Sequence, residues 1–206
     1  IYPVSDSVSI LQTGYRINKL VWKSPGKIFV TELDTLPEAS VSSSLLFNYQ
    51  LWIGSYGRYY ISHKGYTGFR QLMLPENKLV RCFATSIDDK VWMGTEKGLY
   101  LLDKTGKMGS MIGKADGLPD DNIYAMRVDK RNNLWLSHNK GISCRKPDGS
   151  FLHFSRNDGL QENEFNTNTS FETADGELFF GGVNGISSFY PDAVTAVKEN
   201  PQVLIT

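Results

Sequence analysis

Residues 91–102 run Val91-Trp92-Met93-Gly94-Thr95-Glu96-Lys97-Gly98-Leu99-Tyr100-Leu101-Leu102, two apolar segments around a glycine- and lysine-bearing centre. Such a loop can cradle a phosphate or turn one strand into the next. A phosphate loop needs G-x-x-x-x-G-K-[ST] leading into a helix, with the lysine after the second glycine. Here Lys97 precedes Gly98, and Gly98 opens a run of strand-forming residues. The stretch is therefore a tight hairpin turn, with glycine supplying positive φ.

The stretch recurs. Leu51-Trp52-Ile53-Gly54-Ser55, Leu134-Trp135-Leu136-Ser137-His138 and Leu178-Phe179-Phe180-Gly181-Gly182 repeat its pattern. The aromatic positions Trp52, Trp92, Trp135 and Phe179 are 40, 43 and 44 residues apart. Six residues after the last three stand Gly98, Gly141 and Gly185; the first copy has Arg58 there and Gly57 one residue early. A second phrase shares the period: Asp34-Thr35-Leu36-Pro37, Leu74-Pro75, Asp116-Gly117-Leu118-Pro119 and Asp158-Gly159-Leu160-Gln161. An apolar residue follows each copy, namely Val41, Val80, Ile123 and Phe165. Two phrases on one period of about 40 to 45 residues mark a repeat architecture, and strand-rich units of that length suit propeller blades.

Each unit reads as four short strands, a to d. In the third they fall near 122–128, 134–137, 141–145 and 151–154, with turns at Lys130-Arg131-Asn132-Asn133, Asn139-Lys140-Gly141 and Pro147-Asp148-Gly149. No segment sustains a helical apolar stripe. The fold class is all-β, a β-propeller with about four recognisable four-stranded blades plus a partial one, part of a larger propeller. Residues 1–33 read as the partial blade, with Val8–Leu11 as a strand and Pro25-Gly26 as a turn before Lys27–Thr31. Residues 34–195 read as the blades, and 196–206 as a linker and the start of another domain.

Composition narrows the function. The 206 residues carry zero net charge at pH 7, which argues against a nucleic-acid surface. No apolar run approaches the roughly 18 residues of a membrane helix. Cys82 and Cys144 offer neither a disulfide framework nor metal-ligand spacing, and read as buried free thiols. His63, His138 and His153 do not form a metal set by spacing. Asp88-Asp89, Asp120-Asp121 and Asp129 read as turn carboxylates. No cofactor, metal or catalytic set is expected.

The phrases LWIGS, VWMGTEKGLYLLD and LWLSHNKGI, with their LP loops, resemble the two-component regulator propeller repeats. Asn163-Glu164-Phe165-Asn166, then Asp175 to Ile186, then Phe189-Tyr190-Pro191, is similar to the final blade of such propellers. In that family an immunoglobulin-like domain called Y_Y_Y follows, and Pro201–Thr206 resembles its first strand. The resemblance implies the extracytoplasmic sensor of a hybrid two-component histidine kinase, most familiar in gut Bacteroidetes. It implies a periplasmic location, an oligosaccharide ligand, a second sensor protomer as homodimer partner, and attachment to the membrane only through segments outside this chain. A lyase-like propeller enzyme would instead need a histidine with acidic or metal support on the axial face, where only His138 is placed. A WD-type scaffold would need Gly-His and Trp-Asp signatures, which the chain lacks.

Residues that recur in every unit suit packing, so the repeated aromatics belong in cores between blades. Ligand contacts belong at departures from the repeat, on the face made by the b–c turns and d–a loops. Tyr56, Arg58, His138, Asn139 and Asn184 are the candidates, because their amide, phenol, imidazole and guanidinium groups recognise hydroxyls and carboxylates. Arg58 ranks first, since it stands where the other units have glycine.

Overall fold

The computed structural model describes residues 2–6, 8–14, 16–24, 27–36 and 41–194. They form five antiparallel sheets and no α-helix. The first joins β1 (Tyr2–Ser5), β2 (Val8–Thr13), β3 (Arg16–Ser24) and β4 (Lys27–Thr35) in chain order. The second joins β5 (Ser43–Phe47), β6 (Gln50–Gly54), β7 (Arg58–Ile61) and β8 (Arg70–Met73). The third joins β9 (Val80–Thr85), β10 (Val91–Thr95), β11 (Gly98–Leu102) and β12 (Met108–Ile112). The fourth joins β13 (Ala125–Val128), β14 (Leu134–His138), β15 (Gly141–Arg145) and β16 (Phe151–Phe154). The last joins β17 (Phe165–Glu172), β18 (Leu178–Gly182) and β19 (Gly185–Phe189).

The sheets are β-propeller blades. Their first strands meet at a common axis: β9 packs between β5 and β13, β13 packs against β17, and β17 reaches back to β9. The described residues of 1–33, a range expected to be a partial blade, contribute to a four-stranded sheet, β1-β2-β3-β4. It has no W-x-G phrase, and Ile10 and Ile17 fill its core positions. The fourth repeat unit, expected to hold four strands, shows three among the described residues. The Pro25-Gly26 turn and the strand expected at 201–206 lie outside the described residues.

Each phrase of the repeat delivers one residue to each core between blades. Leu36, Leu74 and Leu118 are buried in three successive cores, and Leu160 packs against the fourth. The apolar followers Val80, Ile123 and Phe165 are buried in the same cores as Leu74, Leu118 and Leu160's cluster, and Val41 packs beside Leu36. Trp52, Trp92 and Trp135 complete three of them. The Asp-Gly-Leu phrase places its leucine by a capped turn. Asp158 Oδ2 accepts from the Ser155 amide at 2.8 Å, and Gly159 leaves the short 3-10 turn at φ 100°. Asp116 and Gly117 (φ 109°) repeat this after Lys114–Asp116.

The W-x-G glycine has a different cause. A Cβ at Gly54 would lie 2.5 Å from Val80 Cγ1, and one at Gly94 would lie 2.8 Å from Ile123 Cγ2. The next blade's first strand approaches too closely for any side chain. Trp135 is further anchored by its indole N–H, which donates to Asp129 Oδ2 at 2.8 Å. The equivalent turn in the second sheet is only Asn48-Tyr49, both at positive φ, and carries no such carboxylate. The Trp52 indole N–H is accordingly buried without a partner.

Phe179 is the exception among the repeated aromatics. It is half-buried, touches the exposed Phe171 at 6.4 Å between ring centroids, and no described sheet covers that side. Trp92→Ala and Trp135→Ala should each cost about 3 to 5 kcal/mol. Phe179→Ala should cost clearly less, and chemical denaturation of the three variants measures the difference.

Candidate functional site

The axial strands carry the polar groups that the repeat does not explain. In β17, Phe165 pairs with Gly182 and Ser170 with Phe180, so Asn166-Thr167-Asn168-Thr169 bulge out opposite Gly181. Asn168 turns the bulge at φ 58°. The Asn168 amide donates to the Tyr124 carbonyl at 3.0 Å, and its Nδ2 donates to the Ser42 carbonyl at 3.1 Å. Arg81 Nη1 donates to Thr167 Oγ1 at 3.1 Å. One bulge thus ties together the four blades whose first strands surround the axis.

Beside it lies an open pocket of about 520 Å³. Gln12, Ser42, Ser43, Cys82, Arg127 and Asn168 supply polar groups to its wall. Arg127 Nη2 donates to the Ser170 carbonyl, while its Nε is buried without a partner. Burial lowers the Arg127 pKa, opposed by the Glu172 carboxylate. Burial also pushes the Cys82 thiol up to about 12, so it stays protonated and unreactive.

A second network continues from Arg81. Its guanidinium lies over the Tyr124 ring, 5.0 Å from the centroid. The Tyr124 hydroxyl donates to Asn139 Oδ1 at 2.9 Å and accepts from Asn122 Nδ2 at 3.0 Å. The Asn139 amide donates to Asp120 Oδ2 at 3.2 Å. Burial would raise the Asp120 carboxyl, but donors from Asn122 and Asn139 and the charge of Lys114 outweigh it, and its pKa falls.

The five sequence candidates separate. Asn139 joins the network that leads to Arg81 and the axis. Tyr56 is 54% exposed and bridges to Leu79. Asn184 is exposed and bonds to Gln161, through its amide at 2.7 Å and Nδ2 at 3.2 Å. Arg58 does not occupy the glycine position of the turn. The Gly57 amide donates to the Lys78 carbonyl at 2.9 Å, as Gly98 does to Asp121 at 2.7 Å and Gly141 to Asn163 at 2.8 Å. Gly57, at φ 71°, fills the glycine role one residue earlier, and Arg58 begins β7 opposite Met73. Among the described residues no hydrogen bond joins any two of the five.

His138 is fully buried, which removes it from the ligand-facing surface. The Lys140 amide donates to its Nδ1 at 3.1 Å, so the proton sits on Nε2, which donates to Ser143 Oγ at 2.7 Å. The Ser143 hydroxyl in turn donates to His153 Nδ1 at 2.8 Å. The imidazole is thus a fixed support beneath the Asn139-Lys140 turn. Arg81, Tyr124 and Arg127 went unrecognised as candidates because each sits in an innermost strand or the loop entering it, where the repeat phrases say nothing. The one usable signal was Arg81 and Arg127 themselves, charged residues inside otherwise apolar strand patterns.

The family model for the two component regulator propeller matches residues 117–140, from the Asp-Gly-Leu-Pro loop to the b–c turn of the fourth sheet. Residues 117–140 are thus similar to a two component regulator propeller repeat. The same two phrases flank this propeller repeat on both sides. Histidine kinase P4 of Formosa agariphila is 29% identical over 236 aligned positions, covering 84% of this chain and 17% of the kinase. The extracellular domain assigned to a hybrid two component system of B. thetaiotaomicron superposes with a TM-score of 0.76 at 22% identity, covering 93% of this chain and 27% of that one. Virginiamycin B lyase of Staphylococcus aureus, solved with quinupristin, gives 0.64 at 14% identity, covering 86% and 63%. The chain spans about a sixth of the kinase and about a quarter of the extracellular domain, and the two structural likenesses establish the propeller fold.

Burial lowers the His138 pKa from 6.5 to about 4. A group depressed in the folded state stabilises fully above its unfolded pKa and loses that contribution as pH falls towards the folded one. Stability should therefore drop by about 3 kcal/mol from this group between pH 6.5 and pH 4. Urea midpoints across that range measure it, and His138→Gln should flatten the slope.

Proposed function

We propose that this chain belongs to the extracytoplasmic ligand-sensing propeller of a hybrid two-component histidine kinase, and that its signal is an oligosaccharide. The axial pocket carries the proposal. Its wall is assembled from separate blades, with Gln12 from the first sheet, Ser42 and Ser43 from the second, Cys82 from the third, Arg127 from the fourth and Asn168 from the last. A ligand held there favours one arrangement of the blades over another, and differential affinity of that kind is what a sensor needs. The match to the regulator propeller model and the relation to histidine kinase P4 support the same assignment.

The sensor works in the periplasm, pairs with a second protomer, and reaches the membrane through other segments of its protein. Residues 1–33 and 34–195 form the propeller part, and 196–206 lead into the next domain. The ligand extends from the axis onto the face of b–c turns, where Tyr56, Arg58, Asn139 and Asn184 contact its outer residues. The lyase alternative is disfavoured by His138, whose two ring nitrogens are both engaged inside the blade.

Calorimetry of the full chain against oligosaccharide pools tests this proposal. Arg58→Ala should weaken binding by about 1.5 to 3 kcal/mol where its partner is charged, with little effect on folding. The ligand should be recovered chemically intact. Unchanged affinity in Arg58→Ala would remove this face from the site, and cleavage of the ligand would favour an enzyme.

A further inference from the structure

We infer that the propeller axis is an oxyanion site, in which Arg127 holds the carboxylate of an acidic sugar and Arg81, on the neighbouring strand, adds positive potential. The inference rests on the axial pocket being the ligand site. Its starting point is a charge imbalance. The described residues make seven ion pairs, and neither axial arginine takes part in any of them. Glu172 acts on Arg127 electrostatically but lies beyond ion-pair distance. Among the described residues no carboxylate lines the pocket.

Arg127 lines the pocket and Arg81 does not, but the blade arrangement sets both on neighbouring strands. Arg81 is in β9 and Arg127 in β13, adjacent first strands, and both act electrostatically on the same buried thiol, Cys82. Arg81 falls where the pairing of β9 with β10 shifts register between Gly94 and Thr95, so it leaves the normal alternation. The Tyr124 ring and Thr167 then fix its plane. Arg127 is fixed by the Ser170 carbonyl. Each therefore spends only part of its five-donor fork on the protein and is already ordered.

The surroundings select the anion. A cation is repelled by two arginines that make no ion pair among the described residues, whereas an oxyanion gains charge-assisted, often bidentate bonds in a partly dry pocket. Around them Gln12, Asn168 and the hydroxyl-bearing Ser42–Ser43 segment offer polar contacts for the hydroxyls of a sugar ring. A pocket of about 520 Å³ accommodates a ligand of that size.

Calorimetry of the full chain at constant ionic strength with glucuronate, inorganic sulfate and glucose tests the site. Glucuronate should bind more tightly than glucose, Arg127→Gln should weaken it about tenfold or more, and Arg81→Gln should weaken it by a smaller factor. Arg127→Lys keeps the charge and loses the planar fork; it should fold and recover only part of the affinity, and it replaces Arg127→Gln should that variant unfold. Sulfate binding without glucuronate would assign the axis to a free inorganic anion and overturn the acidic sugar. Equal binding of glucuronate and glucose, no binding of either anion, or indifference of both arginine variants would overturn the oxyanion site. A neutral oligosaccharide that binds regardless of both arginines would preserve the sensor assignment while defeating this one.

Discussion

A side-chain carbon at position 94 would lie 2.7 Å from the Cys82 sulfur and 2.8 Å from Cγ2 of Ile123. At position 54 it would meet Val80 and Ser43 at 2.5 Å. These contacts fix how closely the second strand of one blade meets the first strand of the next. With that distance set, main-chain bonds cross between blades, from Val80 to Ser55 at 3.2 Å and from Ile123 to Thr95 at 2.9 Å. The rigid joint lies near the axis, and the tryptophans fill the wedge that opens outward. Blades cannot splay at the outside without breaking a core, nor at the axis without orphaning buried amides.

Close approach at the blade junctions around Gly54 and Gly94 leaves little room for ordinary side chains, and the chain answers with small and polar ones. Ser42, Ser43 and the bulge around Asn168 supply hydrogen-bonding groups where backbone would otherwise lie exposed. The Ser42 hydroxyl donates to the Gly54 carbonyl at 3.0 Å and also to that of Val80, which places one small side chain across a blade junction. The bulge does the same over a longer span, from Ser42 to Tyr124. It is the last blade that makes these bonds, so the curvature of the arc depends on a segment far from its start in sequence. A group bound among them acts on several blade junctions at once.

The blades were legible because their determinants recur. Leucine in the loop, an apolar residue after it, an aromatic in the second strand and glycine in the turn each answer one packing demand, and the demand returns every blade. The first sheet was legible only in part, because Ile10 and Ile17 satisfy its core without the repeated phrase. Arg58 shows how a sequence alignment by offset misplaces a turn: the amide bond to Lys78 identifies Gly57 as the turn glycine. His138 shows the same for burial. Its neighbours Asn139 and Lys140 are exposed, but strand alternation turns the imidazole inward to Ser143. The axial arginines were not legible as a pair, since Arg81 and Arg127 lie 46 residues apart in sequence and come onto neighbouring strands only through blade stacking.

Two kinds of residue therefore divide the work of this fold. Those that recur hold the blades at fixed distances and are nearly interchangeable between units. Those that do not recur collect at the axis, because the axis is the one place where every blade contributes and no two contribute alike. Arg81 leaves the strand alternation at a bulge, Asn168 adopts positive φ, and Arg127 places a charge in a strand flanked by Met126 and Val128. Each departure carries a cost in backbone strain or desolvation that packing alone does not require. Two of these departures, Arg127 and Asn168, line one pocket and the third stands on the neighbouring strand, outside the hydrophobic cores, where blade packing does not call for them.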